Sequence, residues 1–375
     1  MAGLSFVIAL RKQWPSNLQP LRRSIFDRNT EFDESKKDGH VIPLCGHDSA
    51  NGLGSIKALG LLSKLEEHAV QGTGCFKVWN SNWVEMMSRH SSPPKNIPNA
   101  RDRITRGKLR RMLIDATLET DEIRWGMTYS LAEKLPNGRM SIRVDGDDTN
   151  ASIVCDLLIT ADGESSQIRE CLRPNGTFRY TGLGQIGGIA KFSQGIPFPI
   201  ANNWGLQFLS PGTCCFYSPI DEYHVAWACT FSNPLESIIS TQHAHLIKER
   251  IRREHSEPLR SIIEMTDPDT EFCVCMRERV PARHLITDGP VVFIGNSNPH
   301  NPLSEGVELG RQLCITDSLE SAVSAYDAIT IPKATGIQRS SQWWIERAHS
   351  KGLMLLVYKI SVFVKGFVLC AVGRG

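Results

Sequence analysis

Apolar positions at three- and four-residue spacing open the chain. Leu4 with Ile8, and Phe6 with Leu10, predict a helix over Ala2–Trp14 whose apolar side faces a sheet. After Pro15–Pro20, RRSIFDRN reads as a short strand ending in Asp27. Glycine-punctuated helical signals run through NGLGSIKALGLLSKLEE from about Ser55. A stronger amphipathic helix lies in RITRGKLRRMLIDATLE, with Leu109, Met112, Leu113 and Ala116 on one face. RMSIRVDG alternates as a half-buried strand does. SIVCDLLITADG is nearly continuous, and its run Ile153–Thr160 predicts an internal parallel strand covered on both faces.

From about Cys171 the period shortens. GQIGGIAKF, NWGLQFLS, TCCFYSPI and YHVAWACTF, separated by turn residues, predict an antiparallel sheet of four or five strands inserted into the α/β part. Alternation in YHVAWACTF sets Tyr223, Val225, Trp227 and Cys229 on one face and His224, Ala226 and Ala228 on the other. HAHLIKERIRREH returns to helix, CVCMRERV and GPVVFIGN to strand, and Ser304–Ser324 to helix. The opening helix followed by a strand ending in an acid has the helix–strand order found in a mononucleotide-binding half. The strand and Gly-rich turn that precede such a helix have no counterpart here beyond Gly3.

The chain has 375 residues, 41% hydrophobic and 22% charged, with a formal charge of +2. That suits a globular α/β protein with an insertion, and argues against a nucleic-acid binder because no dense basic run is interleaved with aromatics. The first residues lack a basic leader and a cleavage site, and the 11 cysteines show no zinc-ligand spacing: Cys214 and Cys215 are adjacent, Cys273 and Cys275 one residue apart. Reduced thiols and a cytoplasmic location are expected. The most apolar passage is GLMLLVYKISVFVKGFVLCAVG, interrupted by Lys359 and Lys365. A buried terminal helix, peripheral membrane contact through residues 352–373 and a true span all stay open. Oligomeric state is not legible.

Chemistry concentrates in DLLITADGESSQIR. A strand runs into Asp162–Gly163, followed by Ser165, Ser166 and Arg169. An acid there can bond a ribose or orient donors around a diphosphate; Gly163 permits close backbone approach and the following helix start favours an anion. An ordinary Asx turn with an N-cap explains the same residues.

This stretch resembles the Asp-Gly motif of the FAD-dependent aromatic hydroxylases, single-component flavoprotein monooxygenases of the p-hydroxybenzoate-hydroxylase-like fold. AGLSFVIAL is similar to the latter half of that family's first dinucleotide-binding turn and helix, SIFDR to its second strand, ITRGKLRRML to its arginine-leading helix, and GPVVFIGNSNPHNPLSEG to its Gly-Asp region. The resemblance spans about residues 2–330. It implies a Rossmann-like FAD/NAD(P)-binding α/β domain lacking the usual first strand, an inserted antiparallel-sheet substrate domain and a C-terminal helical tail. The expected division is 1–73, 97–170 and 276–330 for the FAD-binding domain, 74–96 and 171–275 for the substrate domain, and 331–375 for apolar terminal helices. Carried over by position, Asp27 binds the adenosine ribose, Arg106 the diphosphate region, and Asp162 with Gly163 anchors the cofactor and communicates with the nicotinamide donor. Gly3, Gly295, Asn296 and Gly306 complete the expected cofactor set.

The resemblance further implies NADPH as transient reductant of FAD, O2 as co-substrate, and hydroxylation or epoxidation of a hydrophobic or aromatic small molecule, of secondary-metabolite type. Trp204, Phe208, Phe216, Tyr217, His224 and Trp227 are the candidate pocket residues, although core packing accounts for any single aromatic there. No catalytic base is assigned. Three departures stand out. The first Gly-rich turn is reduced to Gly3, Asn296 replaces the usual aspartate, and Pro299 stands near the family's histidine position beside His300. Glu308 brings a carboxylate toward the flavin's electron-rich side unless it turns away. A second reading follows: a cofactor-depleted protein of the same fold that binds a metabolite or catalyses a non-redox isomerisation, cyclisation or hydration.

Overall fold

The computed structural model describes residues 1–29, 41–46, 52–71, 75–90, 92–93, 95–146, 149–174, 176, 178–233, 241–285, 288–298 and 302–371. The chain opens with α1 (Ala2–Gln13), β1 (Ile25–Phe26), β2 (Val41–Cys45), α2 (Gly52–Ala58), α3 (Leu62–His68) and β3 (Val70–Gln71). There follow β4 (Phe76–Trp79), β5 (Glu85–Arg89), β6 (Arg101–Thr105), α4 (Arg106–Leu118), β7 (Ile123–Arg124), β8 (Thr128–Lys134), β9 (Met140–Gly146), β10 (Thr149–Cys155), β11 (Leu158–Thr160) and α5 (Gln167–Leu172). The insert holds β12 (Arg179–Lys191), β13 (Trp204–Phe208), β14 (Thr213–Pro219), β15 (His224–Ser232), α6 (Thr241–Glu254) and α7 (Leu259–Glu264). β16 (Phe272–Glu278), β17 (Val291–Phe293), α8 (Pro302–Ile315), α9 (Leu319–Ala348) and α10 (Gly352–Ala371) close the sequence.

The α/β part is built on two parallel pairs, β1 with β7 and β11 with β17. One face of β17 takes α1 and α8: Ala2, Phe6, Val7 and Leu10 pack with Val292, Ile294, Leu309 and Tyr326. The antiparallel meander β8–β9–β10 supplies the other cover, where Met140, Ile142 and Val144 pack with Leu158, Val291 and Phe293. Helix α1 is buried nearly all round, since its Ile8 and Ala9 join Leu53, Leu109 and Leu113 in a further cluster. It lies close against α8, and glycine is what allows this. A Cβ on Gly306 would stand 2.1 Å from Ser5 Oγ and 2.6 Å from the Ala2 carbonyl oxygen.

Three expectations change. The run Ile153–Thr160 is not one parallel strand. Residues up to Cys155 pair antiparallel with β9, and only Leu158–Thr160 run parallel to β17. The break falls at exposed Asp156, which pairs with Arg139 at 2.9 Å. The helix read from about Ser55 is two helices, divided at Gly60, whose φ of 72° ends the first. The helix read over Ser304–Ser324 also divides, because Ser318 caps α9 by accepting from the Ser321 amide at 3.1 Å.

The insert forms a seven-stranded sheet in the order β16-β12-β15-β14-β13-β4-β5, antiparallel except for the β13–β4 pair. One face packs on α6 and α7: Ile186, Tyr217, Val225, Trp227 and Cys229 cluster with Ile251, Leu259 and Ile262. The other face carries Trp204, Leu206, Phe208, Cys214 and Phe216 by alternation. Its β4–β5 end is covered by α10, whose Tyr358 and Val362 pack with Val78, Met87 and Phe208.

Candidate active site

The parallel pair β11–β17 delivers two turns side by side. The Thr160 carbonyl accepts from the Ile294 amide at 2.9 Å and from Ser297 Oγ at 2.9 Å, so the chain leaving β11 is tied to the chain leaving β17. The start of α1 meets both. A Cβ on Gly3 would lie 3.3 Å from Ala161 Cβ, and one on Gly295, at φ 66°, would lie 2.9 Å from Ala2 Cβ. Gly163 has φ 88° and open space where its Cβ would project, so the Asp162–Gly163 turn presents bare backbone. Ser166 caps α5 by accepting from the Arg169 amide at 3.1 Å.

Asp162 is half-buried, and its Oδ1 is shielded from water with no hydrogen-bond partner. Burial pushes its carboxyl above the usual range, outweighing the hydrogen bonds from Ser166 and the Ile168 backbone that favour the anion. A carboxylate oxygen left bare in this way is suited to a hydroxyl donor from outside the protein.

Asp27 sits at the end of β1, where its Oδ2 accepts from Arg110 Nη2 at 2.9 Å and its Oδ1 from the Asn29 amide at 3.0 Å. Arg106 opens α4 after the Thr105 cap and is exposed. Met1 and Leu4 pack in the cluster that holds Leu109 and Leu113, which brings the start of α1 to the helix that carries Arg106 and Arg110. That helix start carries no side-chain cap. The Tyr129 hydroxyl donates to the Phe26 carbonyl at 3.3 Å. Burial first, then Asp162 and Asp27, pushes its phenol up. Gly3, Asp27, Arg106, Asp162, Gly163 and Gly295 thus gather around one helix start. Arg110 lies one helical turn beyond Arg106 on α4, and no motif in the sequence marks it.

Gly306 packs against α1 rather than presenting its own backbone, so its contribution is the approach of α8. Glu308 turns along α8, its carboxylate accepting from Arg311 Nη2 and Gln312 Nε2, each at 2.7 Å. Burial opposes its ionisation, but these two partners outweigh it and hold the carboxyl below its usual range. Glu305 is buried and accepts from the Gly295 amide, pinning the turn to the first turn of α8. Pro299 and His300 lie outside the described residues.

These residues fit a dinucleotide carrying ribose, diphosphate and a polyol. An uncapped helix start with Arg106 and Arg110 beside it suits phosphate. Asp27 and the bare Asp162 oxygen suit hydroxyls, and Gly163 leaves room for close approach.

Asn296 is exposed and lines a separate cavity of about 320 Å³ with Glu164, Phe178, Glu278, Arg279 and Gln338. Arg279 is 7% exposed, lies 3.7 Å from the Phe178 ring centroid, and has unpartnered Nε and Nη1 atoms. Arg169 is buried nearby; its Nη1 donates to the Ser297 carbonyl, and burial with Arg279 and Arg173 lowers its guanidinium to about 10. No motif in the sequence singled out Arg279. Its cavity is made by segments more than 100 residues apart.

The aromatic candidates separate by face. Trp204 and Phe216 stay together, ring centroids 6.1 Å apart, with Phe76 at 4.9 Å from Trp204 and the Arg101 guanidinium 5.0 Å above it. Arg101 belongs to β6, so this cluster marks the junction between the inserted sheet and the α/β part. Phe208 shares the face but is buried under Tyr358 of α10. Trp227 and Tyr217 point the other way. Trp227 is 2% exposed and its indole donates to Thr266 at 2.8 Å, which makes it a core residue. His224 is held at the start of β15 by Asp221, with Nδ1 2.9 Å from the carboxylate.

No family model matches the chain. Its fold is that of HpxO from Klebsiella pneumoniae solved with FAD and uric acid: TM-score 0.81 at 16% identity, covering all of this chain and 93% of that one. In sequence it is 32% identical over 377 residues to the monooxygenase cfoF of Aspergillus candidus, covering 94% of this chain and 90% of that protein. The chain belongs to the FAD-binding monooxygenase family. A second member, the aurachin C monooxygenase/isomerase of Stigmatella aurantiaca, is 26% identical over 190 residues, covering 48% of each protein. The Asp162–Gly163 turn follows the carboxyl end of β11, beside the end of its parallel partner β17, and open α/β sheets bind ligands at such strand ends.

Proposed function

We propose that this chain is a FAD-dependent monooxygenase that takes electrons from NADPH and transfers one atom of O2 to a small hydrophobic or aromatic molecule, by hydroxylation or epoxidation. The observation that carries this reading is the bare Oδ1 of Asp162 beside Gly163, set against the uncapped start of α1 with Arg106, Arg110 and Asp27 around it. Bound FAD supplies the reducing equivalents and the activation of oxygen. The chain itself does the positioning. Asp162 holds hydroxyls, Asp27 the adenosine ribose, and Arg106 with Arg110 the diphosphate. Trp204 and Phe216 form an apolar, water-excluding wall for the substrate at the sheet junction.

The cavity at Arg279 supports a place for the reduced nucleotide. A buried guanidinium with two unpartnered nitrogens suits a phosphate, and Glu164 connects the cavity to the Asp162–Gly163 turn.

The test is to purify the chain, record its visible spectrum and titrate FAD, then follow NADPH oxidation with O2 uptake. A flavin band, or micromolar FAD binding coupled to NADPH oxidation, supports the reading. A folded protein that binds no FAD returns the assignment to a metabolite-binding or non-redox member of the same fold.

A further inference from the structure

Helix α10 is packed on one side only. Its inner face is committed to the protein: Leu355, Tyr358 and Val362 are buried, and a Cβ on Gly366 would stand 2.5 Å from the Met86 carbonyl oxygen. The outer face carries Leu353, Leu356, Ile360, Phe363, Val364 and Phe367, all more than half exposed, with Leu353 at 74% and Phe367 at 72%. Among the described residues, no comparable row of large apolar side chains stands open on another helix. Monomeric soluble proteins rarely leave so continuous a patch unpartnered.

The charges around this face decide what covers it. At about 100° per residue, Lys359 and Lys365 fall on opposite flanks, each about 120° from the midline through Ile360 and Val364. They stand at the two edges where the outer face meets the packed face. Ser361, a polar residue on the outer side, donates to the Tyr358 carbonyl at 2.7 Å and so satisfies its hydroxyl within the helix. No acidic residue occurs between Gly352 and Ala371. A second copy laid on this face would set lysine edges against lysine edges with no carboxylate on the helix to answer them. An anionic, apolar-cored surface answers both features at once, taking the side chains inward while long lysine stems carry their charges to the headgroups.

We propose that α10 is an in-plane membrane anchor whose outer face enters an anionic phospholipid bilayer to the depth of the headgroup–acyl boundary. It lies on the bilayer rather than crossing it. The packed inner face stays on the sheet, and no helix among the described residues is long and apolar enough to span a membrane. The inference is independent of the reaction, because membrane contact is read without turnover.

The test is co-sedimentation of the full chain with phosphatidylcholine vesicles, with and without about one-third phosphatidylserine, at low and high salt. The expected result is sedimentation with the anionic vesicles, weakened by salt. The double variant Ile360→Gln with Phe367→Gln releases the protein by about tenfold or more. Lys359→Gln and Lys365→Gln each weaken partition into the anionic vesicles about fivefold. Melting temperature checks the fold of each variant. If the first pair fails that check, Leu353→Gln with Val364→Gln tests the same face. Protein that stays in the supernatant at every composition overturns the proposal. So does sedimentation unchanged by the outer-face variants, or a dimer by light scattering that the same substitutions dissolve.

Discussion

Replacing Asp162 by asparagine separates a binding role from a structural one, because the two predict opposite changes in stability. In the folded protein the Asp162 carboxyl is raised above its ordinary value of 3.8, burial outweighing the hydrogen bonds from Ser166 and the Ile168 backbone. The folded state therefore holds a proton that the unfolded state has already released. Stability contributed by this residue falls as pH rises from 3.8 through the raised value, and the full penalty is present at neutral pH. Its Oδ1 has no partner in the protein. Leaving such an acceptor buried and unmatched costs about 1–3 kcal/mol. Asparagine keeps the shape and an acceptor for Ser166 while removing the buried charge. The FAD-free variant is expected to melt about 2–12 °C above wild type at pH 7, using about 2–4 °C per kcal/mol for sizeable domains. The difference vanishes as pH is lowered toward 3.8. FAD affinity moves the other way. A lost hydrogen bond to an ionised acceptor weakens binding by about 1.5–3 kcal/mol, roughly 10- to 100-fold. Differential scanning fluorimetry across pH and a fluorescence titration with FAD measure the two effects. A variant that melts lower than wild type at pH 7, or binds FAD with unchanged affinity, refutes the assignment.

Gly306→Ala forces a methyl group against Ser5 Oγ, the Ala2 carbonyl and the Phe6 amide, and only the first of these can move aside. The expected loss is about 1–3 kcal/mol, seen as a lower melting temperature, and an unchanged transition would show that α1 and α8 are not in this contact. Trp227→Phe removes the hydrogen bond to Thr266 and part of the core, lowering the urea midpoint by an amount worth at least about 1 kcal/mol while leaving KM for substrate unchanged; a raised KM would put the residue back in the pocket. Glu308→Gln tests the carboxylate held low by Arg311 and Gln312. Its contribution is present above the ordinary value of 4.5 and lost as pH falls through the lower folded value, so the melting curves of wild type and variant converge on acidification. A gap of about 0.5–1 kcal/mol at neutral pH is expected for this partly exposed pair.

Much of the architecture was legible because local periodicity reports burial directly. The three- and four-residue spacing of Leu109, Met112, Leu113 and Ala116 reappears as buried positions of α4, and strand alternation in the insert reappears as two faces of one sheet. Element breaks were harder to see. Nothing in hydrophobicity marks Asp156 as the point where one strand leaves the β8–β10 meander and the next joins β17, because the change is one of partner. The substrate aromatics show the same limit. Alternation correctly opposed Trp227 to His224, but which face meets α6 and α7 depends on residues more than 20 positions away.

The sequence by itself determined helix α4, the alternating strands of the insert and the Asp162–Gly163 turn, since these follow from spacing and residue type along one stretch of chain. Only the tertiary structure decided that Asp162 keeps a bare oxygen, that Arg110 pairs with Asp27, that Arg279 opens onto a cavity, and that one side of α10 stays exposed. Each of these is a matter of what does or does not arrive from a distant segment. Local pattern tells a side chain whether it wants burial or a hydrogen bond; packing alone tells whether the fold provides it.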